Sequence, residues 1–166
     1  MGDYAEQMVK NCAVVQAFPP IDTINAAQVG TTISLKKFDH VTIIIEQGAW
    51  AAGTPAVTLD QELTVAGALH TTLPFTHMYT NTAAPGSNVF VDTAVVANTF
   101  NLTAVANVTT VIEVDADSLT QPNTCIHLDI ADPGANADLI SATYICSKGR
   151  YKGAAASMPD VTIDAN

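Results

Sequence analysis

KKFDHVTIIIEQGAWAAGTPAVTLDQELTV, residues 36–65, is the stretch whose reading decides the fold. Val41, Ile43 and Ile45 alternate with Thr42, Ile44 and Glu46. Further on, Val57, Leu59, Gln61 and Leu63 alternate with Thr58, Asp60 and Glu62. Alternation with period two sends one set of side chains to a core and the other to water. Residues 48–55 between the runs are small, with Trp50 the exception. The stretch is therefore expected to form a hairpin with an open loop.

Working outward, the same pattern recurs. Residues 13–18 read as extended and are expected to stop at Pro19-Pro20. Ile33 and Leu35 share a face, as do Ile126, Leu128 and Ile130, with His127 and Asp129 opposite. Ile112 and Val114 supply apolar bulk to another run, and Leu73 and Phe75 point inward in a further one. Ile140, Ala142, Tyr144 and Cys146 form the face of the last long strand. Residues 115–119 suggest a turn or a single helical turn, and Asp132-Pro133-Gly134 is a turn with a mechanism, because Pro fixes φ and Gly accepts a positive one. About eight to ten short strands at a spacing of roughly ten residues predict an all-β fold, an antiparallel β-sandwich of jelly-roll-like type. Long amphipathic helices, which a βαβ fold requires, are missing. The expected organisation is an N-terminal arm over 1–12, a sandwich domain over 13–152 and a C-terminal tail or late edge strand over 153–166, with both ends flexible.

Composition narrows function by exclusion. The net charge of −10, from 16 acids and 6 bases, repels phosphates, so nucleic acid is not an expected partner. No apolar run reaches the ~20 residues of a membrane span, and the N-terminus lacks the apolar core of a signal peptide. Cys12, Cys125 and Cys146 lack CxxC spacing and read as reduced, largely buried thiols, although Cys125 and Cys146 could lie on neighbouring strands.

Catalytic and metal motifs are not found. His40, His70, His77 and His127 include no His-x-His pair, and Cys125 and His127 are read as facing apart on their strand. Asp115 and Asp117 read as turn caps rather than a paired-carboxylate site. No nucleophile elbow occurs. The expectation is a protein that is not an enzyme, with no catalytic residues, cofactor or metal. Two features suggest a partner interface instead. Trp50, the only tryptophan, lies among alanines and is either an anchor for a partner pocket or a lid over its own sandwich. Lys148, Arg150 and Lys152 gather three of the six basic residues, either to grip an acidic patch on a partner or to neutralise the chain's own acids.

Three phrases, VVQAFPPIDTINAA (14–27), SLKKFDHVTIIIEQGAW (34–50) and ISATYICSKGRY (140–151), resemble small structural proteins of tailed bacteriophages. The pattern is similar to head accessory proteins of the decoration, or cement, type, and covers about half the chain. The resemblance implies a β-rich virion protein, made in the host cytoplasm, that binds the outer capsid surface and stabilises it. It implies the major capsid protein as partner and a homotrimer or other cyclic oligomer. A tail or neck component and a carbohydrate-binding adhesion module are the alternatives.

Overall fold

The structure is a computed structural model and describes residues 8–23, 26–67, 70–83, 85–95 and 97–150. The arm and tail expected at the two ends lie largely outside these residues, as does the possible late edge strand. Among these residues one short helix, α1 (Met8–Asn11), precedes twelve strands. These are β1 (Ala13–Asp22), β2 (Gln28–Val29), β3 (Ile33–Ser34), β4 (Phe38–Trp50), β5 (Ala56–Glu62) and β6 (Thr71–Thr72). There follow β7 (His77–Asn81), β8 (Val91–Ala94), β9 (Thr99–Asn101), β10 (Val108–Asp115), β11 (Cys125–Ile130) and β12 (Asp138–Gly149). A single 3-10 turn, Ala116–Ser118, falls where a turn is expected.

The strands form two antiparallel sheets packed face to face, the expected all-β sandwich. Sheet 1 has the order β1-β12-β4-β10-β7-β8. Sheet 2 has the order β2-β11-β5-β6, with β3 also on β11 and β9 also on β5. The short strands of sheet 2 follow one another along two edges: β2 pairs Asp129 and Ile130, and β3 pairs Cys125 and Ile126. Broken edges of this kind resist adding a foreign strand.

Apart from Leu63, the apolar residues expected in the core are there. Ile33, Leu35, Val41, Ile43, Ile45, Val57, Leu59, Ile112, Val114, Ile126, Leu128, Ile130, Ile140 and Tyr144 are all buried in one cluster. Phe38, Leu102 and Leu119 join them from positions where no alternation marks them.

The expected hairpin does not form. β4 lies in sheet 1 between β12 and β10, while β5 pairs β11, β6 and β9 in sheet 2. Residues 51–55 carry the chain from one sheet to the other. Two alternating runs joined by a loop fit a hairpin or a sheet-to-sheet crossover equally well, since each only needs its apolar face covered. Asp138 fixes this crossover: its buried carboxylate Oδ1 accepts the Ala51 N–H at 2.7 Å and the Ala52 N–H at 3.4 Å.

Three further expectations are corrected. β1 continues through Pro19-Pro20 to Asp22, because it is an edge strand whose register shifts between Phe18 and Ile21 and needs no N–H donors there. The alternation in β5 breaks at its end: Glu62 is fully buried and Leu63 is exposed. Cys125 and Cys146 stand in different sheets, and all three cysteines are free thiols.

A polar contact joins the sheets through the core. Leu128 pairs Leu59 on one side, and on its other side β2 has ended and β3 has not begun. The Tyr144 hydroxyl reaches across from β12 and accepts the Leu128 N–H at 2.9 Å. The Leu128 carbonyl accepts the Gly30 N–H at 2.8 Å. A Cβ on Gly30 would meet that carbonyl oxygen at 2.4 Å and the Tyr144 hydroxyl at 3.1 Å, so only glycine fits. Burial drives the Tyr144 phenol far above its ordinary value, so it stays protonated.

Tyr144→Phe strands a buried N–H and is expected to cost about 1–3 kcal/mol in urea unfolding. Ile43→Ala and Leu128→Ala should each cost about 2–5 kcal/mol; a loss under about 0.5 kcal/mol at both sites would contradict the faces assigned to β4 and β11.

Candidate functional site

The ends of β4, β10 and β12 meet at one end of sheet 1, and their charged residues meet with them. Ser147 and Asp115 both pair with His40 across β4. Arg150 Nε lies 2.7 Å from Asp39 Oδ1, and its backbone N–H donates to the Lys37 carbonyl at 3.0 Å. Lys148 Nζ is 3.5 Å from Asp115 Oδ1. Between these basic residues, His40 sits with Nδ1 2.7 Å from Asp115 and Nε2 against Glu113. Thr42 Oγ1 donates to the same Glu113 oxygen at 2.8 Å. Lys148 and Arg150 thus each contact an acid of the chain itself, in exposed pairs worth about 0–1 kcal/mol each. Lys152 lies outside the described residues.

Trp50 closes β4 at the opposite end. It is half-buried, packs against the core, and its indole N–H donates to the Gly53 carbonyl at 3.1 Å. The side chain braces the crossover turn, the placement of a lid over its own sandwich.

The apolar surface concentrates elsewhere on sheet 1. The edge strand β8 is exposed along its length, and Val89, Phe90 and Val91 are 69, 42 and 63% exposed. Phe90 helps line a shallow depression of about 410 Å³ with Tyr79, Val111 and Glu113.

A second polar group lies on the outer face of sheet 2. Asp60 and Glu62 alternate with the inward Leu59 and Gln61 on β5, and His127 and Asp129 alternate with Ile126, Leu128 and Ile130 on β11. His127 stands directly opposite Asp60. His70 comes to the same place just before β6, which pairs β5 at Asp60 and Gln61. Glu62 Oε1 lies 2.7 Å from His127 Nδ1 and 3.0 Å from His70 Nδ1. The two Nδ1 atoms are 3.2 Å apart, with the rings edge-on at a centroid distance of 4.4 Å. His127 Nε2 is 2.9 Å from Asp129 Oδ2. One potential ligand atom from each of Asp60, His70 and His127 lies within 4.8 Å of the others.

This face is expected to meet water, yet the side chains of His127 and Glu62 are 1% and 0% exposed. The segment leaving β5 folds back over Glu62: a Cβ on Gly67 would lie 2.6 Å from Glu62 Oε2. Oε2 of Glu62 and Oδ1 of Asp129 are buried without a hydrogen-bond partner among the described residues. Burial alone would lower the His127 imidazole, but the hydrogen bond and charge of Asp129, together with Glu62, hold it above its ordinary value. Asp60 is raised, first by burial and then by the charge of Asp129.

The sequence reading missed this group. Its visible traces are Asp-x-Glu at 60–62 and His-x-Asp at 127–129. A search for ligands two apart on one strand cannot see a site shared by two strands until their register is known. Cys125 and His127, two apart on β11, also share a face rather than opposing one another, although Cys125 takes no part in the cluster.

No protein-family model matches the chain, and no curated protein sequence does. Among solved structures it is similar to the SPBc2 prophage-derived protein YomS, with a TM-score of 0.42 and 7% identity over 81% of this chain and 93% of that one. At that level nothing is transferred to this chain.

His40 sets the titration of its neighbour. Its hydrogen bond is the main cause that holds the Asp115 carboxyl below the ordinary value of 3.8, with the charge of Lys148 assisting. A depressed carboxyl stabilises the fold above its unfolded value and loses that contribution as pH falls through the folded one. His40→Ala is therefore expected to move the Asp115 titration, followed by NMR, back up toward 3.8.

Proposed function

We propose that this chain is a non-catalytic structural protein of a tailed-phage virion, which binds the outer surface of the capsid and stabilises it as a decoration protein. The reading rests on the phrases at 14–27, 34–50 and 140–151, and two of these phrases form the centre of sheet 1. The structural observation that carries it is the open, apolar edge of that sheet. Val89, Phe90 and Val91 leave an exposed hydrophobic run beside an unpaired strand edge, a combination that solitary proteins avoid and docking surfaces use. The partner is the major capsid protein, with a second copy of this chain in a cyclic oligomer as a further neighbour.

The exposed charges at 148–150 flank the same sheet. The Arg150 guanidinium carries five N–H donors, of which Nε–H faces Asp39. It remains about half exposed and suited to a carboxylate on the shell. Binding to the assembled shell, and not to its separated subunits, shifts assembly by mass action, and many symmetric contacts multiply the effect.

The carbohydrate-binding alternative needs aromatics on one face. Tyr144 is fully buried and Trp50 is committed to the crossover turn, which leaves only Tyr79 with Phe90 beside one depression among the described residues. Tyr151 lies outside the described residues.

The test uses particles stripped of this protein. Arg150→Glu and Val91→Lys should each weaken rebinding by roughly tenfold, about 1.4 kcal/mol. Stripped particles should rupture at a lower temperature than decorated ones. Equal heat resistance would refute stabilisation, and immunogold labelling confined to the tail would refute the head location.

A further inference from the structure

We propose that His70, His127, Glu62 and Asp60 form a binding site for one divalent transition-metal ion, with Zn²⁺ the best fit to the donor set. The inference concerns sheet 2 and is independent of the role proposed for sheet 1.

Four observations carry it. First, two imidazole nitrogens and a carboxylate oxygen converge on one point. The three separations among His70 Nδ1, His127 Nδ1 and Glu62 Oε1 are 2.7, 3.0 and 3.2 Å. Tetrahedral Zn²⁺ with bonds of about 2.0–2.1 Å sets its ligand atoms about 3.3 Å apart. Those separations need to lengthen by about 0.1–0.6 Å around an ion. Second, Asp60 supplies a further carboxylate within 4.8 Å of both histidines. Third, the far nitrogen of His127 already holds Asp129 at 2.9 Å. A metal-binding histidine is usually oriented in this way, by a carboxylate on its other ring nitrogen. Fourth, the Glu62 side chain is wholly buried, and its Oε2 lacks a hydrogen-bond partner among the described residues. Leaving a buried carboxylate oxygen unpaired is costly, and a cation at the site offsets that cost.

Charge points the same way. Asp60, Glu62 and Asp129 surround two imidazoles, so the cluster is anionic whenever the rings are neutral. The half-exposed His70 leaves one side open to solvent, which gives the ion a way in. Nitrogen donors favour Zn²⁺ over Ca²⁺ or Mg²⁺, which take oxygen ligands. The ion would tie β5, β11 and the segment entering β6 together on the outer face of sheet 2, acting as a staple.

The test uses the full chain without a histidine tag, freed of metal with a chelator. Calorimetric titration with ZnCl₂ should give one ion per chain and a raised Tm. Co²⁺ should give the intense visible bands of a tetrahedral site. His70→Ala, at a half-exposed position that spares the core, should weaken Zn²⁺ binding by more than about 100-fold, and Asp129→Asn by about 10–100-fold. His40→Ala, which alters the separate surface cluster, should bind as the native chain does. The proposal is overturned if the folded native chain takes up no stoichiometric Zn²⁺, or if His70→Ala binds it undiminished.

Discussion

The fold depends on one backbone N–H. Leu128 sits in the middle of β11, where the neighbouring edge changes from β2 to β3 and no strand residue is available to pair with it. A buried N–H without an acceptor would cost about 1–3 kcal/mol, against a domain's net stability of about 5–15 kcal/mol. Tyr144 supplies the acceptor from the opposite sheet. The gap that creates the need also makes the room, since residues 30–32 turn inward there. Gly30 donates to Leu128 in sheet 2 and Thr31 donates to the Ala17 carbonyl in sheet 1. The two sheets are thus joined by directional hydrogen bonds as well as by apolar contact. Hydrophobic packing alone tolerates small slides, whereas a hydroxyl seated against a single N–H fixes the relative position of β11 and β12.

That registry explains what the outer faces can do. With Ile126, Leu128 and Ile130 committed inward, His127 and Asp129 must face out, and β5 places Asp60 and Glu62 beside them. An ordinary sandwich would leave these side chains in water. Here the chain leaving β5 covers Glu62 and His70 packs edge-on against His127, so the centre of a polar face is buried while Asp60 and Asp129 stay partly exposed. The consequence is electrostatic. Carboxylates removed from water demand positive charge, and the imidazoles can meet that demand either by holding protons or by ceding their nitrogens to a metal.

Much of the sandwich was legible because alternation needs only local information. Ile43 and Leu128 announce their faces through their neighbours, and the core follows. Pairing was not legible. The runs at 41–46 and 57–63 look like partners, yet they belong to opposite sheets, since nothing local distinguishes a wide hairpin from a crossover. Glu62 shows the same limit at a single residue: its place on the polar face was readable, but the cover over it comes from the return of residues 63–67. His70 belongs to no alternating run, so only the folded chain reveals that it joins His127. The basic residues at 148 and 150 were legible as a group, whereas their acid partners Asp115 and Asp39 come from other strands.

The two faces of the sandwich also separate the two roles proposed for the molecule. Val91, Phe90 and Arg150 belong to sheet 1, its edge and its end, while His70 and His127 occupy the outer side of sheet 2. A partner lying against sheet 1 would leave the histidine cluster on the far side, open to solvent at His70. An ion there would touch no partner directly. It would act through the sheet, by holding β11 and β5 in register. Because Leu128 of β11 is tied to Tyr144 of β12 and Thr31 to Ala17 of β1, rigidity gained on one sheet passes to the other through a few hydrogen bonds beside the shared apolar core. The directional part of that coupling is weak, since each neutral hydrogen bond contributes only about 0.5–1.5 kcal/mol. Metal binding and partner binding are therefore expected to be nearly additive, with the metal serving the stability of the protein rather than the strength of its docking.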